Sequence, residues 1–247
     1  MKNETIWIIG AGSGIGAALA HKLDRQGTRL ILSGRREDAL IALNKDLTGD
    51  HIICPLDAGN SASVHNALHS VTTQAARIDR IINFAAVYTP GKFSEISEKD
   101  MEETVNINIT GTLRIAKAVL PQLAKQGGGQ LVLCGSVAGY CGLPASQPYA
   151  ATKAAILNLA QSLYQEYRPQ NIDIKLISPG FVKTEMTDKN DFAMPFIITA
   201  EQAAEYVLRG LEKRRFEIHF PRKFTILLKL LRILPYPIYF FLTKRLL

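Results

Sequence analysis

The 247 residues are 47% hydrophobic and 21% charged, a balance that suits one globular α/β domain able to bury most of its apolar surface. The formal net charge is +7, with the excess cations near the end of the chain at Lys213, Arg214, Arg215, Arg222, Lys223, Lys229, Arg232, Lys244 and Arg245. A basic balance admits nucleic acid, an anionic membrane or an anionic cofactor, but no homeodomain, zinc-finger or RNA-binding pattern accompanies it, so no nucleic-acid partner is expected.

Thr5–Ile9 is a short apolar run with β-branched residues, which reads as a buried parallel strand. Gly10, Gly14 and Gly16 follow, and then a stretch of helical spacing that stops at Gly27. Strand, glycine turn and helix together form the context of a dinucleotide-binding turn. There the helix N-terminus offers free amides and partial positive charge to phosphate. Arg29–Ser33 reads as the second strand. An NAD-selective site carries an acid near the end of this strand for the ribose 2′-hydroxyl. Here Ser33 and Gly34 stand there, followed by Arg35 and Arg36, so NADP(H) is favoured and NAD(H) is the alternative.

A third strand is expected over 51–56, ending at Asp57, then a helix over 61–77 and a fourth strand over 80–84. His65 and His69 are four apart on that helix, but no third ligand is evident and no metal is expected. The three cysteines, Cys54, Cys134 and Cys141, have no metal-type spacing and read as reduced thiols. With no apolar leader and cleavage site after Met1, a cytoplasmic protein is expected. Strands alternating with helices predict an α/β fold, a doubly wound Rossmann-type parallel sheet of about seven strands in a single domain.

A long helical pattern over 97–126 contains Asn106, Asn108 and Gly111, which weaken a helix interior and predict a functional distortion. The fifth strand, 130–134, is followed by Ser136, beyond the strand's carboxyl end where open parallel sheets build their sites. Tyr149 and Lys153 then lie four apart at the start of a helix that runs to about residue 168. At that spacing they share one face, and a nearby cation is expected to lower the phenol's pKa and make a tuned acid/base. A sixth strand over 172–177 leads into Pro179 and Gly180. The stretch 181–198 is loop-like and rich in Phe and Met, and its part 181–196 together with 140–148 favours an apolar substrate. A helix over 199–213 and a strand over 216–220 complete the domain, placed at 1–221.

The residues together resemble the short-chain dehydrogenase/reductase family over roughly 4–220. The glycine turn, Asp57, the partial match at Asn83-Phe84-Ala85-Ala86, Asn108, Ser136, Tyr149 with Lys153, and Pro179, Gly180 and Thr184 occur in the family's order and spacing. Ile9, Phe84 and Ala86 depart from the family's usual residues, with effects expected on packing around the cofactor. The resemblance implies Asn108, Ser136, Tyr149 and Lys153 as the catalytic set. It implies cofactor contacts from Gly10, Ser13, Gly14, Ile15, Gly16, Arg35, Arg36, Asp57, Asn83, Ala85, Tyr149, Lys153, Pro179, Gly180, Val182 and Thr184. The implied activity is hydride transfer between a nicotinamide and a hydrophobic ketone or secondary alcohol, in a homodimer or homotetramer. Ser136 would bond the carbonyl oxygen, Tyr149 would protonate it, and Asn108 would hold a water that relays protons to Lys153. The alternative is a non-catalytic NADP-binding sensor or a membrane-surface scaffold on the same fold.

The tail, 222–247, gathers Arg222, Thr225, Lys229 and Arg232 on one helical face, with apolar residues elsewhere. Lys229, Arg232, Pro235 and Pro237 interrupt it, so no spanning helix is expected. An amphipathic helix at an anionic membrane surface is one reading. A cover for the substrate pocket or a subunit interface is the other.

Overall fold

The strands of the computed structural model, which describes residues 1–244, are β1 (Thr5–Ile9), β2 (Arg29–Ser33), β3 (Ile52–Ile53), β4 (Arg80–Asn83), β5 (Gly129–Cys134), β6 (Ile172–Pro179), β7 (Val182–Lys183), β8 (Ile198–Thr199) and β9 (Glu217–Phe220). Seven of them form one parallel sheet in the order β3-β2-β1-β4-β5-β6-β9. β7 and β8 pair separately. The helices are α1 (Gly14–Asp24), α2 (Glu37–Lys45), α3 (Ser61–Gln74), α4 (Glu98–Val105), α5 (Thr112–Lys125), α6 (Tyr149–Tyr167), α7 (Ala200–Leu211), α8 (Arg222–Arg232) and α9 (Tyr236–Thr243). This is the doubly wound α/β architecture expected from the alternation of strands and helices.

Side chains alternate across a strand, so β1 feeds two cores. Ile6 and Ile8 share one apolar cluster with Leu19 of α1, Leu40 of α2 and Val207 of α7. Trp7 and Ile9 share the other with Val64 of α3, Ile115 of α5 and Ile156 of α6. From β1 the chain winds outward through β2 and β3, then returns to pair β4 against β1, with Ile8 opposite both Leu32 and Ile82. The crevice beyond the carboxyl ends of β1 and β4 is therefore the switch point of the sheet, where such folds bind ligands.

The third strand is shorter than expected. Cys54 and Leu56 still donate to Leu32 O and Gly34 O, but Pro55 between them has no N–H, so regular pairing stops at Ile53. The 97–126 pattern divides into α4, a π-helical turn over Asn106–Gly111 and α5, with the distortion at the residues that predicted it. His65 and His69 are exposed on α3, and no metal-holding group of three His, Cys, Asp or Glu occurs among the described residues.

The tail differs most from the sequence reading. Phe224 and Leu228 of α8 join the core cluster of the α6 face, so packing continues past a boundary at residue 221. Phe224 stacks on Phe181 and Phe196, with ring centroids 5.6 and 5.9 Å apart. Thr225 is fully buried and its hydroxyl meets His219 Nδ1 at 2.6 Å. Lys229 is turned onto Glu217. Half of the expected basic stripe thus faces inward, because burying Phe224 and Leu228 sets the rotation of the helix. Outward it presents Ile226, Leu227, Leu230 and Ile233. No helix among the described residues is long and apolar enough to cross a membrane. Residues 245–247, Arg245 among them, lie outside the described residues.

Candidate active site

At the end of β1 the chain reverses through Gly10, whose φ is +88°. A Cβ on Gly16 would stand 2.1 Å from Gly10 O, so only glycine lets α1 start this close to the strand end. Ser13 precedes α1 in extended backbone without capping it, and the first turn holds no acidic residue. The free amides and positive end of the helix therefore face the cleft with no carboxylate to compete, an arrangement that fits a diphosphate. Ser33 at the end of β2 is turned into the core. Its hydroxyl accepts from Trp7 Nε1 at 2.8 Å and donates to Cys54 O at 2.5 Å. What the second strand offers the cleft is Gly34 and Arg35.

Arg36 lines an adjoining cleft with Gly12, Tyr88 and Lys189. Arg35 pairs with Glu103 at 3.3 Å and Arg36 with Glu185 at 3.2 Å, both in solvent. Asp57 borders the main cleft, its amide held by Ser63 Oγ at 3.0 Å and its carboxylate accepting from Gly59 N at 2.8 Å. Pro179, Gly180, Val182 and Thr184 form the facing wall of a cleft of about 250 Å³.

The end of the cleft that holds Ser136, Tyr149 and Lys153 lies between β5 and α6. Ser136 follows β5, and its hydroxyl accepts from Ala138 N at 3.1 Å, which folds a 3₁₀ turn over Val137–Gly139. That turn lies directly on α6: a Cβ on Gly139 would come within 2.6 Å of Lys153 C. Tyr149 opens α6, and Lys153 follows one turn on, its ammonium 5.4 Å from the Tyr149 ring centroid. Lys153 is buried and donates to Cys134 O at 2.8 Å. Tyr88 meets Tyr149 edge-on at 5.0 Å, and its own hydroxyl donates to Asn190 Oδ1 at 2.8 Å.

Asn108 sits buried in the π turn. Its Oδ1 accepts from Val87 N at 2.8 Å, and its Nδ2 donates to Val87 O at 3.0 Å and Thr152 Oγ1 at 3.1 Å. Its side-chain amide clamps the chain beyond β4 to α6, while Ile107 beside it lines the cleft.

Burial dominates the electrostatics. It pushes the Tyr149 phenol up, the Cys134 thiol adds to this, and a hydrogen bond with Ser136 offsets part of it. Burial pulls the Lys153 ammonium down. The expected lowering of Tyr149 by Lys153 is therefore not what this site has. The ammonium bonds the Cys134 carbonyl rather than the phenol, and removal from water penalises charge on both groups. With its pKa raised, the Tyr149 phenol carries its proton at neutral pH.

The cleft gathers Gly10, Ser13, Gly14, Ile15, Gly16, Arg35, Asp57, Ala85, Ser136, Tyr149, Lys153, Pro179, Gly180, Val182 and Thr184 of the residues singled out in the sequence. Asn83 lies behind it, accepting from Ala85 N at 3.0 Å and donating to Thr112 Oγ1 at 3.3 Å, so it shapes the wall without lining it. Leu56, Val87 and Cys134 also line the cleft, and sequence reasoning missed them, whereas Met186 comes from the loop already read as favouring an apolar substrate. The three missed residues lie at or just beyond strand carboxyl ends, a position that flags them in a parallel sheet. Nothing local signals the meeting of Tyr88 with Tyr149.

A family model described as short chain dehydrogenase matches residues 4–194. An uncharacterized oxidoreductase of Staphylococcus epidermidis is 32% identical over 211 residues, spanning 85% of this chain and 92% of its own. One from Myxococcus xanthus is 29% identical over 249 residues, spanning 100% and 98%. Among solved structures, a short-chain dehydrogenase of Sphingobium yanoikuyae in complex with NADPH superposes with a TM-score of 0.80 at 28% identity, over 88% of both chains. A Burkholderia phymatum short-chain dehydrogenase/reductase in complex with NAD gives 0.85 at 23% identity over 93% and 92%, a likeness of fold.

Proposed function

The chain belongs to the short-chain dehydrogenase family and is an NAD(P)-dependent oxidoreductase, and from that premise we propose that it is an NADP(H)-dependent reductase of a hydrophobic ketone, run in reverse on the secondary alcohol. The observation that carries the reading is the convergence of Ser136, Tyr149 and Lys153 at one end of the glycine-lined cleft. A nicotinamide held in this cleft supplies the hydride. Gly10, Ser13, Gly14, Ile15 and Gly16 hold the diphosphate; Asp57 and Ala85, backed by Asn83, border the adenine half. Pro179, Gly180, Val182 and Thr184 close the nicotinamide end. Arg35 and Arg36 take the 2′-phosphate, supported by the absence of an acid at the end of β2 and by the NADPH-bound Sphingobium relative.

Ser136 donates to the substrate's carbonyl oxygen as negative charge grows there, and Tyr149 delivers the proton. Lys153 stabilises the phenolate that Tyr149 becomes and contacts the ribose. Asn108 keeps α6 in place through Thr152 and supports proton return to Lys153. With its pKa raised by burial, the phenol starts protonated near neutrality, as a proton donor in reduction must. Val87, Met186 and the Phe181–Phe192–Phe224 cluster support an apolar substrate. Such a substrate partitions into lipid, and a peripheral seat at a membrane surface belongs to the same reading. Exposed Val105 and Leu113, on α4 and α5, support a homodimer or homotetramer. A non-catalytic sensor would spare Tyr149 and Lys153, and both line the cleft.

The test is NADPH oxidation against a panel of apolar ketones, with the wild type and Tyr149→Phe. Turnover should fall on the order of 100-fold or more in the variant while NADPH affinity stays within about twofold. Turnover that survives the loss of the phenol, or a wild type that prefers NADH, overturns the proposal.

A further inference from the structure

We infer that the outward face of α8 and α9 is a docking surface for an anionic lipid bilayer, and that it seats the enzyme with the substrate segment 181–198 against the lipid. The inference rests on the apolar-substrate reading above. Three observations carry it.

The first is exposure. Leu227, Leu230, Ile233 and Tyr236 are 57%, 55%, 75% and 75% exposed, on two successive helices. An apolar surface of this extent marks a partner or a membrane. The second is charge. No acidic side chain occurs anywhere after Glu217, whose carboxylate is already taken by Lys229. Arg222 and Lys223 stand exposed beside the apolar face, and Arg232, also exposed, lines a crevice with Tyr140 and Cys141 at the end of the same helix; none of the three is in an ion pair among the described residues. Apolar residues flanked by cations without anions complement lipid with anionic headgroups. A second copy fits worse. An isologous contact would set these cations against their own counterparts, with no carboxylate on the face to pair them.

The third is continuity with the site. Phe224 of α8 stacks on the half-exposed Phe196 at 5.9 Å and on Phe181 at 5.6 Å. The same segment supplies Thr184 and Met186 to the cleft. On the other side, the Tyr239 hydroxyl of α9 donates to Gly142 O, within the second apolar stretch beside the site. The helices that carry the outward face thus pack, through the buried Phe224 and Tyr239, against both apolar walls beside the cleft, so a bilayer seated on that face would lie close to where an apolar substrate enters.

The experiment is sedimentation of the full chain with vesicles of phosphatidylglycerol and phosphatidylcholine, and with vesicles of phosphatidylcholine alone. At roughly fivefold per cation, Arg222, Lys223 and Arg232 should raise partitioning onto the anionic vesicles by about 100-fold at low salt. Salt near 1 M should remove most of that gain and leave the apolar part. Leu230→Glu with Ile233→Glu should abolish binding at any salt, with folding checked by melting temperature. Both side chains point outward, so a folded variant is expected. If it does not fold, the wild-type comparison between the two lipid compositions still decides. No binding to anionic vesicles at low salt overturns the inference. So does a fall from dimer to monomer mass in the double variant, which would make the face a contact between copies. Ketone reduction in vesicle-free buffer is scored separately. Turnover without vesicle binding removes this inference alone; vesicle binding without turnover removes the catalytic reading instead.

Discussion

Replacing Gly139 by alanine tests whether the Val137–Gly139 turn positions Ser136. The added Cβ would lie 2.6 Å from Lys153 C, 2.7 Å from Ala154 N and 2.8 Å from Lys153 O. The first contact is about 0.8 Å short of the 3.4 Å at which ordinary packing begins. All three atoms are α6 backbone and cannot rotate away, so the turn must lift, and Ser136 moves with it through its bond to Ala138 N. Overpacking of this kind costs about 1–3 kcal/mol. For a chain of this length that lowers Tm by about 2–12 °C. The larger effect should be on catalysis, because misplacement approaching 1 Å costs up to the order of 100-fold in rate.

We expect kcat for ketone reduction to fall at least tenfold, on that same argument, with NADPH affinity nearly unchanged because the glycine turn and Arg35 lie at the far end of the cleft. Steady-state kinetics, cofactor fluorescence titration and a melting curve measure all three. Gly142→Ala is the internal control, since a Cβ there meets nothing within 4 Å. Wild-type kcat and Tm in Gly139→Ala, or equal damage from Gly142→Ala, would refute the reasoning.

Arg35→Ala should weaken NADPH roughly tenfold, the low end for a charge-assisted bond because Arg35 is half-exposed, and leave NADH almost unchanged; equal losses for both cofactors would remove its assignment to the 2′-phosphate. Tyr149 donates its proton only below its pKa, and burial holds that pKa above the phenol's ordinary value of 10.0, so the reductive rate should stay level from neutrality to at least pH 10. A pH-rate profile that breaks below pH 8 would contradict this. Lys229→Met should cost about 1 kcal/mol at neutral pH, a value held down by solvent around Lys229. Burial alone would raise Glu217, but hydrogen bonds from Lys229, Ser178 and Tyr140 hold it below its ordinary 4.5. Its contribution is therefore present above pH 4.5 and lost as pH falls through the lower folded value, so the melting temperatures of variant and wild type should converge in acid.

What could be read from the residues was what depends on local spacing. The glycine turn, the Tyr149–Lys153 pair and the weak point at Asn106–Gly111 each carry their geometry within a few residues, and the fold matches all three. The Tyr149 pKa could not be read, because it depends on burial beneath Tyr88 and beside Cys134, residues 61 and 15 positions away. The rotation of α8 was hidden for a similar reason. A helical wheel shows four polar residues on one stripe, but Phe181 and Phe196 take Phe224, and Glu217 takes Lys229. Asn83 and Asn108 were placed at the site by resemblance; that their amides bind Ala85, Val87 and Thr152 is a fact of tertiary packing.

A π turn is one residue longer than the α turn it replaces, so it behaves as an insertion carried inside a helix. Deleting one residue within Asn106–Gly111 would let α4 run straight into α5, with the flanking side chains kept on their present faces. Such a chain should keep its sheet and its solubility while losing the Asn108 clamp on Val87 and Thr152. The Asn108 clamp and the architecture should therefore be separable by a single codon, because the π turn is an addition carried inside a helix.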